Sequence, residues 1–211
     1  MNRLSLTLRP LPRLLMGMAI VLTVSACALA RPATSVAVIA PQIDALSRQD
    51  GPGLDWALQV RRPVTDRMRD SEQILIRTDN SRLQPYPGAS WLDNAPDMLQ
   101  ALMVQTLSDS GRLAGVGRSG NLRSRFALAT ELRRFEGVDD GSGGLSVELL
   151  IQASLIDQRS GSVAASRSFP IREPVGGRQL DTLVPAFERA IHGYLDELTA
   201  WVLDEGQAQP R

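Results

Sequence analysis

The sequence has 211 residues with 23 basic and 23 acidic side chains, and because every basic residue is arginine, the neutral balance involves no lysine. Such a balance excludes the strongly basic footprint with which a domain binds nucleic acid. One cysteine and one histidine exclude an internal disulfide and a Cys/His zinc cluster, and 43% hydrophobic residues with 4% aromatics predict a mainly aliphatic core.

The N-terminal segment has the three parts of a secretory signal peptide. Three arginines, the last of them Arg13, precede an almost wholly apolar run from Leu14 to Val24, and the small residues Ser25 and Ala26 follow it. The apolar run is too short to span a bilayer, which takes roughly 20 residues. We therefore expect residues 1–26 to be removed, which leaves 20 arginines against 23 acidic residues and a net charge of about −3.

The lone cysteine directly follows this segment. Val24-Ser25-Ala26-Cys27 resembles a bacterial lipobox, which implies cleavage before Cys27, a diacylglycerol on its thiol and a further acyl chain on its amine. Several acyl chains anchor a protein firmly, whereas one chain anchors it only marginally. Ala28 replaces the Asp that commonly retains lipoproteins at the inner membrane, so the resemblance implies an outer-membrane anchor facing the periplasm. The alternatives are a free thiol in an ordinary signal peptide and a buried core cysteine.

The next residues predict a tether between lipid and domain. Residues 28–53 show no sustained hydrophobic period and end in Gly-Pro-Gly, so we expect 27–53 to comprise the lipidated cysteine and a flexible tether. A weak alternation in SVAVIA, residues 35–40, leaves open a strand or a partner-binding segment there. Residues 54–205 are predicted to form one folded domain and residues 206–211 a frayed tail.

The first half of the domain predicts two strands and a helix. LDWALQV (54–60) alternates and QILIR (73–77) is a short apolar run, which are both strand signals, and a charged loop separates them. The segment TDNSRLQPYPGAS (78–90), with two prolines, predicts a polar turn. A helix follows that begins either after Ser90 or after Asn94; Pro96 favours the later start, and Ser110-Gly111 is the expected stop.

The second half predicts further strands and a final helix. LAGVGR (113–118), RFALATELRRF (125–135), LSVELLIQASLID (145–157) and VAASRSFPI (163–171) read as strands, the last three with the period of two that indicates antiparallel sheet with one wet face. A helix from about Thr182 to Leu203 carries one broad apolar stripe. The order predicts an α+β fold: two strand-helix-strand units form a mostly antiparallel or mixed sheet, and each of two main helices can cover one face.

No pattern predicts catalysis. Gly115 to Gly120 matches G-x-G-x-x-G but follows a helix and opens a strand, the reverse of a dinucleotide site. His192 is expected on the solvated side of the last helix, and Asp139-Asp140 is explained by turn formation. We therefore predict no enzyme, no catalytic residue, no metal and no cofactor.

Two groups of residues are left as partner candidates. The arginines of RRPVTDRMRDSE (61–72) predict a solvated loop or, alternatively, contact with anionic lipid headgroups or an acidic partner. Tyr86, Trp91 and Trp201 predict core packing or, more weakly, a partner surface.

The order of these features resembles that of a known family. Trp56 to Leu58 in the first strand, Tyr86 in the turn, Trp91 before a Leu-rich helix and Ser110-Gly111 after it are similar to the ABC-type transport auxiliary lipoproteins, the PqiC-like family, over residues 54–203. Trp56 stands where Tyr is usual, and Ser90 stands where Arg is common. The resemblance implies a non-enzymatic outer-membrane component of an envelope lipid-transport system, which docks a periplasmic MCE-domain protein there.

The expected partners are therefore the membrane, through Cys27, and an MCE-domain protein, with a homo-oligomer left open and no nucleic acid. The alternatives are an envelope lipoprotein acting in outer-membrane assembly or cell-wall-synthase activation, and a periplasmic hydrolase.

Overall fold

Secondary structure follows the hydrophobic periods of the sequence over most of the domain. The computed structural model describes residues 36–43, 51–78, 81–118 and 123–209. These ranges contain strands β1 (Ala37–Ile39), β2 (Ala57–Val60), β3 (Gln73–Arg77), β4 (Leu83–Trp91), helix α1 (Ala95–Asp109), strands β5 (Gly115–Gly117), β6 (Phe126–Asp139), β7 (Leu145–Asp157), β8 (Val163–Val175) and helix α2 (Leu180–Ala208). The α+β prediction is confirmed. None of the helices within these ranges has the length and apolarity needed to cross a membrane.

Three long antiparallel strands, β6, β7 and β8, form one side of the sheet, and β8 is the strand at its edge. β7 pairs with β6 on one side and with β8 on the other along nearly its whole length. The alternate residues of β7 that begin with Leu145 are all buried, because successive side chains of a strand point to opposite faces. The other face is polar, where Ser154 bonds Ser166 across the strands at 2.8 Å.

Two short strands pair with the edge of β6 that does not contact β7, and both run parallel to β6. β2 lies beside residues 126–128, and β3 lies beside residues 137–138. β5 extends the sheet beyond β2, whereas β4 and then β1 extend it beyond β3, which makes the sheet mixed. The connection between β2 and β3, residues 61–72, therefore has to run along the middle of β6.

The predicted polar turn at residues 78–90 is largely a strand. Only the connection around Ser81 turns, where the backbone N–H of Thr78 donates to the Arg82 carbonyl at 2.9 Å, and β4 then pairs antiparallel with β3. The prolines are accommodated because the pairing shifts register between Gln73 and Leu75, and Pro is tolerated at such irregularities. The turn prediction is wrong because the prolines indicate a turn locally, whereas pairing with β3 makes this segment a strand.

A strand also lies inside the predicted tether. β1 pairs in parallel with β4, from Ala37↔Ala89 to Ile39↔Trp91. The backbone N–H of Gln42 donates to Glu188 Oε1 of α2 at 2.9 Å. For these residues the tether prediction is wrong and the strand alternative is right, because a free edge of β4 offers the backbone hydrogen bonds that sequence period alone did not indicate.

Both helices lie over one face of the sheet. α1 begins at Ala95 after Asn94, the later of the two predicted starts, although the Asn94 side chain makes no capping hydrogen bond. α2 begins at Leu180, two residues before the predicted start at Thr182, and the Thr182 hydroxyl donates to the Gln179 carbonyl at 2.9 Å. α2 also continues to Ala208, past the predicted end and into the predicted tail.

The core lies between the two helices and the sheet. Tyr194 of α2 contacts Met103 of α1, with Oη and Sδ 3.4 Å apart. The predicted helical stripes are buried there, at Leu99, Met103, Leu107, Leu183, Phe187, Ile191, Tyr194, Leu195, Leu198, Trp201 and Val202. Fully burying one such aliphatic or aromatic side chain contributes about 1.5–3 kcal/mol, so this interface positions both helices.

Candidate docking loop

The connection between β2 and β3 is fixed along the edge of β6. We call residues 61–72 the docking loop. The backbone N–H of Arg61 donates to the Leu128 carbonyl at 2.9 Å, and that of Val64 donates to the Thr130 carbonyl at 3.0 Å. The Leu132 N–H donates back to the Val64 carbonyl at 2.9 Å. The loop thus continues the parallel pairing of β2 without being a regular strand.

A buried carboxylate lies beneath this loop. Glu136 of β6 is fully buried, on the face opposite Phe135 and therefore opposite the helices. Its Oε2 accepts hydrogen bonds from Arg69 Nε at 2.9 Å and Nη2 at 2.6 Å, and its Oε1 accepts from Arg77 Nε at 2.9 Å and Nη2 at 2.6 Å. The Phe135 N–H donates to Oε2 at 3.1 Å. Both carboxylate oxygens already accept hydrogen bonds, so Glu136 links the loop to the sheet rather than acting as a general base.

Arg69 also makes contacts within the loop. Its guanidinium pairs with Asp66, whose Oδ1 accepts the backbone N–H of Met68 at 2.9 Å and of Arg69 at 3.2 Å. Burial alone would raise the pKa of Asp66, but the hydrogen bonds from Arg69 and Met68 and the Arg69 charge outweigh it and lower the pKa. The carboxylate is therefore ionised at neutral pH and fixes the turn at residues 66–69.

A second arginine ties the loop to helix α1. Arg62 donates to Asp97 through Nε at 2.8 Å and Nη2 at 2.7 Å, and to Asp70 through Nη2 at 2.6 Å. These hydrogen bonds, first with Asp97 and then with Asp70, raise the pKa of Arg62, and the bond from Arg62 is the main cause that lowers the pKa of Asp97. Asp97 lies in the first turn of α1, where the helix dipole favours a negative charge.

The loop presents a mixed surface between these ties. The side chains of Val64 and Met68 are 64% and 40% exposed, and Arg61 and Arg67 are exposed as well. Within the described residues neither Arg61 nor Arg67 makes an ion pair. Methionine and arginine are enriched in protein interfaces. A rigid loop with two apolar and two cationic side chains loses little entropy on binding, so it fits a docking role better than a merely solvated one.

The three aromatic residues predicted as partner candidates do not form an exposed surface. Trp91 and Trp201 are buried; Trp91 packs edge-on against Phe187 at 5.1 Å, and Trp201 packs against Phe169 at 5.8 Å between ring centroids. The partner-surface interpretation is wrong for both, and the core alternative is right. Tyr86 is half-buried, and its hydroxyl donates to the Arg178 carbonyl at 3.1 Å. Cys27, the predicted lipid-attachment site, lies outside the described residues.

The residues considered for catalysis form no reactive constellation in the part of the chain that the structure describes. His192 is half-buried, with Nδ1 3.9 Å from Asp196 Oδ2. Asp139 accepts a hydrogen bond from the Gly141 N–H, which is the main cause of its lowered pKa. The pKa of Asp140 is lowered chiefly by hydrogen bonds from the hydroxyl and then from the backbone N–H of Ser142. No group of three His, Cys, Asp or Glu side chains within the described ranges could hold a metal ion.

Comparison with known proteins gives a family match. The model of the family described as ABC-type transport auxiliary lipoprotein component matches residues 38–198. A crystal structure of a Xanthomonas campestris protein of the DUF330 family is 32% identical, with a TM-score of 0.77, over 82% of this chain and 97% of that chain. The crystal structure of an uncharacterized protein, 13% identical with a TM-score of 0.64 over 80% of this chain and 99% of that chain, shares the fold. No curated protein sequence matches the chain.

Proposed function

The chain belongs to the family of ABC-type transport auxiliary lipoprotein components, and on that basis we propose that it is the non-enzymatic outer-membrane lipoprotein of an MCE-type envelope lipid-transport system. In this role it docks the periplasmic MCE-domain protein at the outer membrane. The family gives the transport context. The lipobox resemblance at Cys27 supports the anchor, and Ala28 supports the outer-membrane location.

The observation that carries the docking proposal is the fixed loop with exposed Val64, Met68, Arg61 and Arg67. Arg62 and Arg69 are used inward, in ion pairs with Asp97 and Glu136. The outward arginines and apolar side chains would be complementary to an apolar patch with acidic neighbours on the MCE-domain protein. Because the loop is held at both ends, its binding geometry is preorganised.

The anchor and the loop act together in this proposal. Cys27 would carry the acyl chains, and nine residues, 28–36, lie between it and the start of β1 at Ala37. At roughly 3.3–3.6 Å per residue, this stretch spans at most about 35 Å. The domain would therefore be held close to the membrane surface, with the MCE-domain protein reaching to it.

The test is affinity purification of the tagged lipoprotein from envelopes of its own bacterium. Its MCE-domain protein should co-purify, together with the permease and ATPase of the same system. The double variant Val64→Ser/Met68→Ser should retain at least tenfold less of the MCE-domain protein. Val163→Ser is the matched control, because Val163 is 58% exposed at the start of β8 and lies outside the loop.

Equal recovery with the double variant and the wild type would refute docking through this loop. Absence of any MCE-domain protein from the wild-type sample would refute the partnership itself. Recovery that falls equally with Val163→Ser would show only a general effect of lost apolar surface, which contradicts the proposal.

A further inference from the structure

A group of exposed apolar side chains lies at the edge of the sheet formed by β1. Val36 and Val38 are 56% and 58% exposed, and Leu92, which follows β4, is 65% exposed. The Leu92 N–H donates to the Ile39 carbonyl at 2.8 Å, which holds Leu92 beside β1. We call Val36, Val38 and Leu92 the β1 patch. In the part of the chain that the structure describes, six large hydrophobic side chains are exposed, so half of them are grouped here.

The patch lies on the face of the sheet that the helices leave open. Val38 is in register with Ser90 of β4, and the next residue, Trp91, points to the other face, where it packs on Phe187 of α2. On the following strand Gln73 is in register with Ser90. The neighbours of Val38 across the sheet are therefore polar but uncharged, and covering them desolvates no charge.

The predicted lipid anchor keeps this patch close to a membrane. Only eight residues, 28–35, lie between Cys27 and Val36. At roughly 3.3–3.6 Å per residue, the chain holds Val36 within about 32 Å of Cys27 in every orientation of the domain. Such a short connection gives the bilayer a high effective concentration at the patch. A patch that is too small to bind a membrane from solution can therefore bind the membrane to which the chain is already attached.

The chemistry of the patch favours a bilayer over a protein partner. Valine and leucine are under-represented among the residues that dominate protein interfaces, where Trp, Tyr and Arg are enriched. The docking loop, in contrast, presents methionine and arginine. Aliphatic side chains bind the boundary between lipid headgroups and acyl chains through their apolar area. Asp93, next to Leu92, is exposed, so the patch fits zwitterionic lipids better than anionic ones.

We propose that the β1 patch contacts the bilayer that holds the anchor, a proposal that rests on the lipidation of Cys27 proposed above. The connection through residues 28–35 alone would let the domain rotate over the membrane. A second contact through β1 and Leu92 holds it in one orientation. The edge strand β8, which lies at the other side of the sheet, then stays in water.

The experiment uses the mature lipidated protein, reconstituted at low density into phosphatidylcholine vesicles. Ser90→Cys supplies the one free thiol, because the chain has no cysteine besides Cys27. Ser90 is half-buried and in register with Val38, so a nitroxide label there reports on the patch without replacing it. Collisions of the label with oxygen, which concentrates in the bilayer, are compared with collisions with a water-soluble nickel chelate. Val163→Cys gives the matched label position on β8.

Two sets of substitutions are added to the protein labelled at residue 90. Val36→Ser/Val38→Ser/Leu92→Ser removes the patch. Val64→Ser/Met68→Ser is the control, because it removes exposed apolar side chains of the docking loop instead. Intact mass measures the lipid on the protein in every sample.

We expect the ratio of oxygen to nickel collisions to be at least threefold higher at Ser90 than at Val163. The patch variant should lower the ratio at Ser90 to the value at Val163 without loss of lipid, and the docking-loop variant should leave it unchanged.

Equal ratios at Ser90 and Val163 in the lipidated protein would overturn the bilayer contact and leave the anchor standing, whereas a protein without lipid on Cys27 would overturn both. An equal fall in the two variants would also refute the proposal. Shielding of the label only at high protein density, or only after addition of an MCE-domain protein, would identify a protein as the occupant and contradict a bilayer contact.

Discussion

A buried carboxylate, that of Glu136, adds a side-chain contact to the backbone hydrogen bonds that hold the docking loop against the sheet. Its burial is complete, and each of its oxygens receives the paired donors of one arginine. Such a pair contributes little compared with an apolar contact, but the loss of one arginine leaves an oxygen of the buried carboxylate without its guanidinium donors. The geometry of the loop therefore depends on Arg69 more than on any exposed residue within it.

We predict that Arg69→Met destabilises the domain by about 1–3 kcal/mol, because Glu136 Oε2 would lose both of its guanidinium hydrogen bonds while Oε1 keeps those from Arg77. The matched control is Arg167→Met, which breaks the ion pair with Glu197 between two side chains that are each nearly half exposed; exposed pairs of this kind contribute less than about 1 kcal/mol. Urea unfolding followed by circular dichroism measures both. Equal free-energy changes in the two variants would mean that the buried triad is not what fixes the loop.

Cys27 is the residue on which anchoring depends. We predict that Cys27→Ser abolishes lipidation, because the chain contains no other thiol. Labelling of growing cells with a fatty-acid analogue, followed by recovery of the protein, measures it. Equal label on the wild type and on the variant would remove the basis for the anchor.

The sequence indicates the charged residues of the docking loop but not the side chains that they bind. The sequence indicates a group of arginines at 61–72 but not which of them face inward. Arg62 faces inward because it binds Asp97, 35 residues away along the chain, and Arg69 because it binds Glu136, 67 residues away. Arg61 and Arg67 face outward. The signal for Glu136 was an acidic residue between Phe135 and Gly137 in a strand. A local pattern cannot say that a distant loop covers it.

At the scale of elements, helix α2 contains two glycines in opposite environments. A Cβ placed at Gly193 meets nothing within 4 Å, whereas a Cβ at Gly206 would overlap the indole of Trp56. Trp56 is itself packed edge-on against Phe126, with ring centroids 5.1 Å apart, so the indole has little room to move. The end of α2 is thus fitted to the beginning of β2.

We predict that Gly193→Ala stabilises the protein by about 0.5–1 kcal/mol, because alanine has the higher helix propensity. Gly206→Ala should be destabilising despite the same gain in propensity. Denaturant midpoints of the two variants, measured side by side, test the pair. A stabilising Gly206→Ala would show that the last turn of α2 does not pack on Trp56.

The elements that sequence predicted best were those with a long buried face. β6 and β7 bury alternate residues over much of their length, and both helices bury a stripe, so their period is visible in the chain. The sequence mispredicts β4 and indicates β1 only as an alternative, because the formation of both strands depends on a free strand edge nearby rather than on their own composition. Proline at positions 85 and 87 and the short length of SVAVIA pointed away from strands that the tertiary pairing supports.

At the scale of the whole molecule, the position of β1 in the chain limits how far the domain can lie from the lipid anchor at Cys27. Only residues 28–35 would separate the lipidated cysteine from the part of the chain that the structure describes, which begins at Val36. We predict that scrambling 28–35 leaves function intact, whereas deleting these residues impairs it, because reach depends on length and not on order. Complementation of an envelope-permeability defect in a deletion strain measures both. Full activity of the deletion variant, or inactivity of the scrambled one at equal protein level, would contradict the spacer role.

The most direct test of docking is site-specific crosslinking in living cells. A photoreactive residue placed at Met68 should crosslink to the MCE-domain protein of the same transport system, as identified by mass spectrometry, whereas the same residue at Val163 should not. Met68 is exposed on the docking loop, and Val163 is exposed elsewhere. Absence of the crosslink at Met68, or an equal yield at Val163, would contradict the claim that this loop docks the MCE-domain protein.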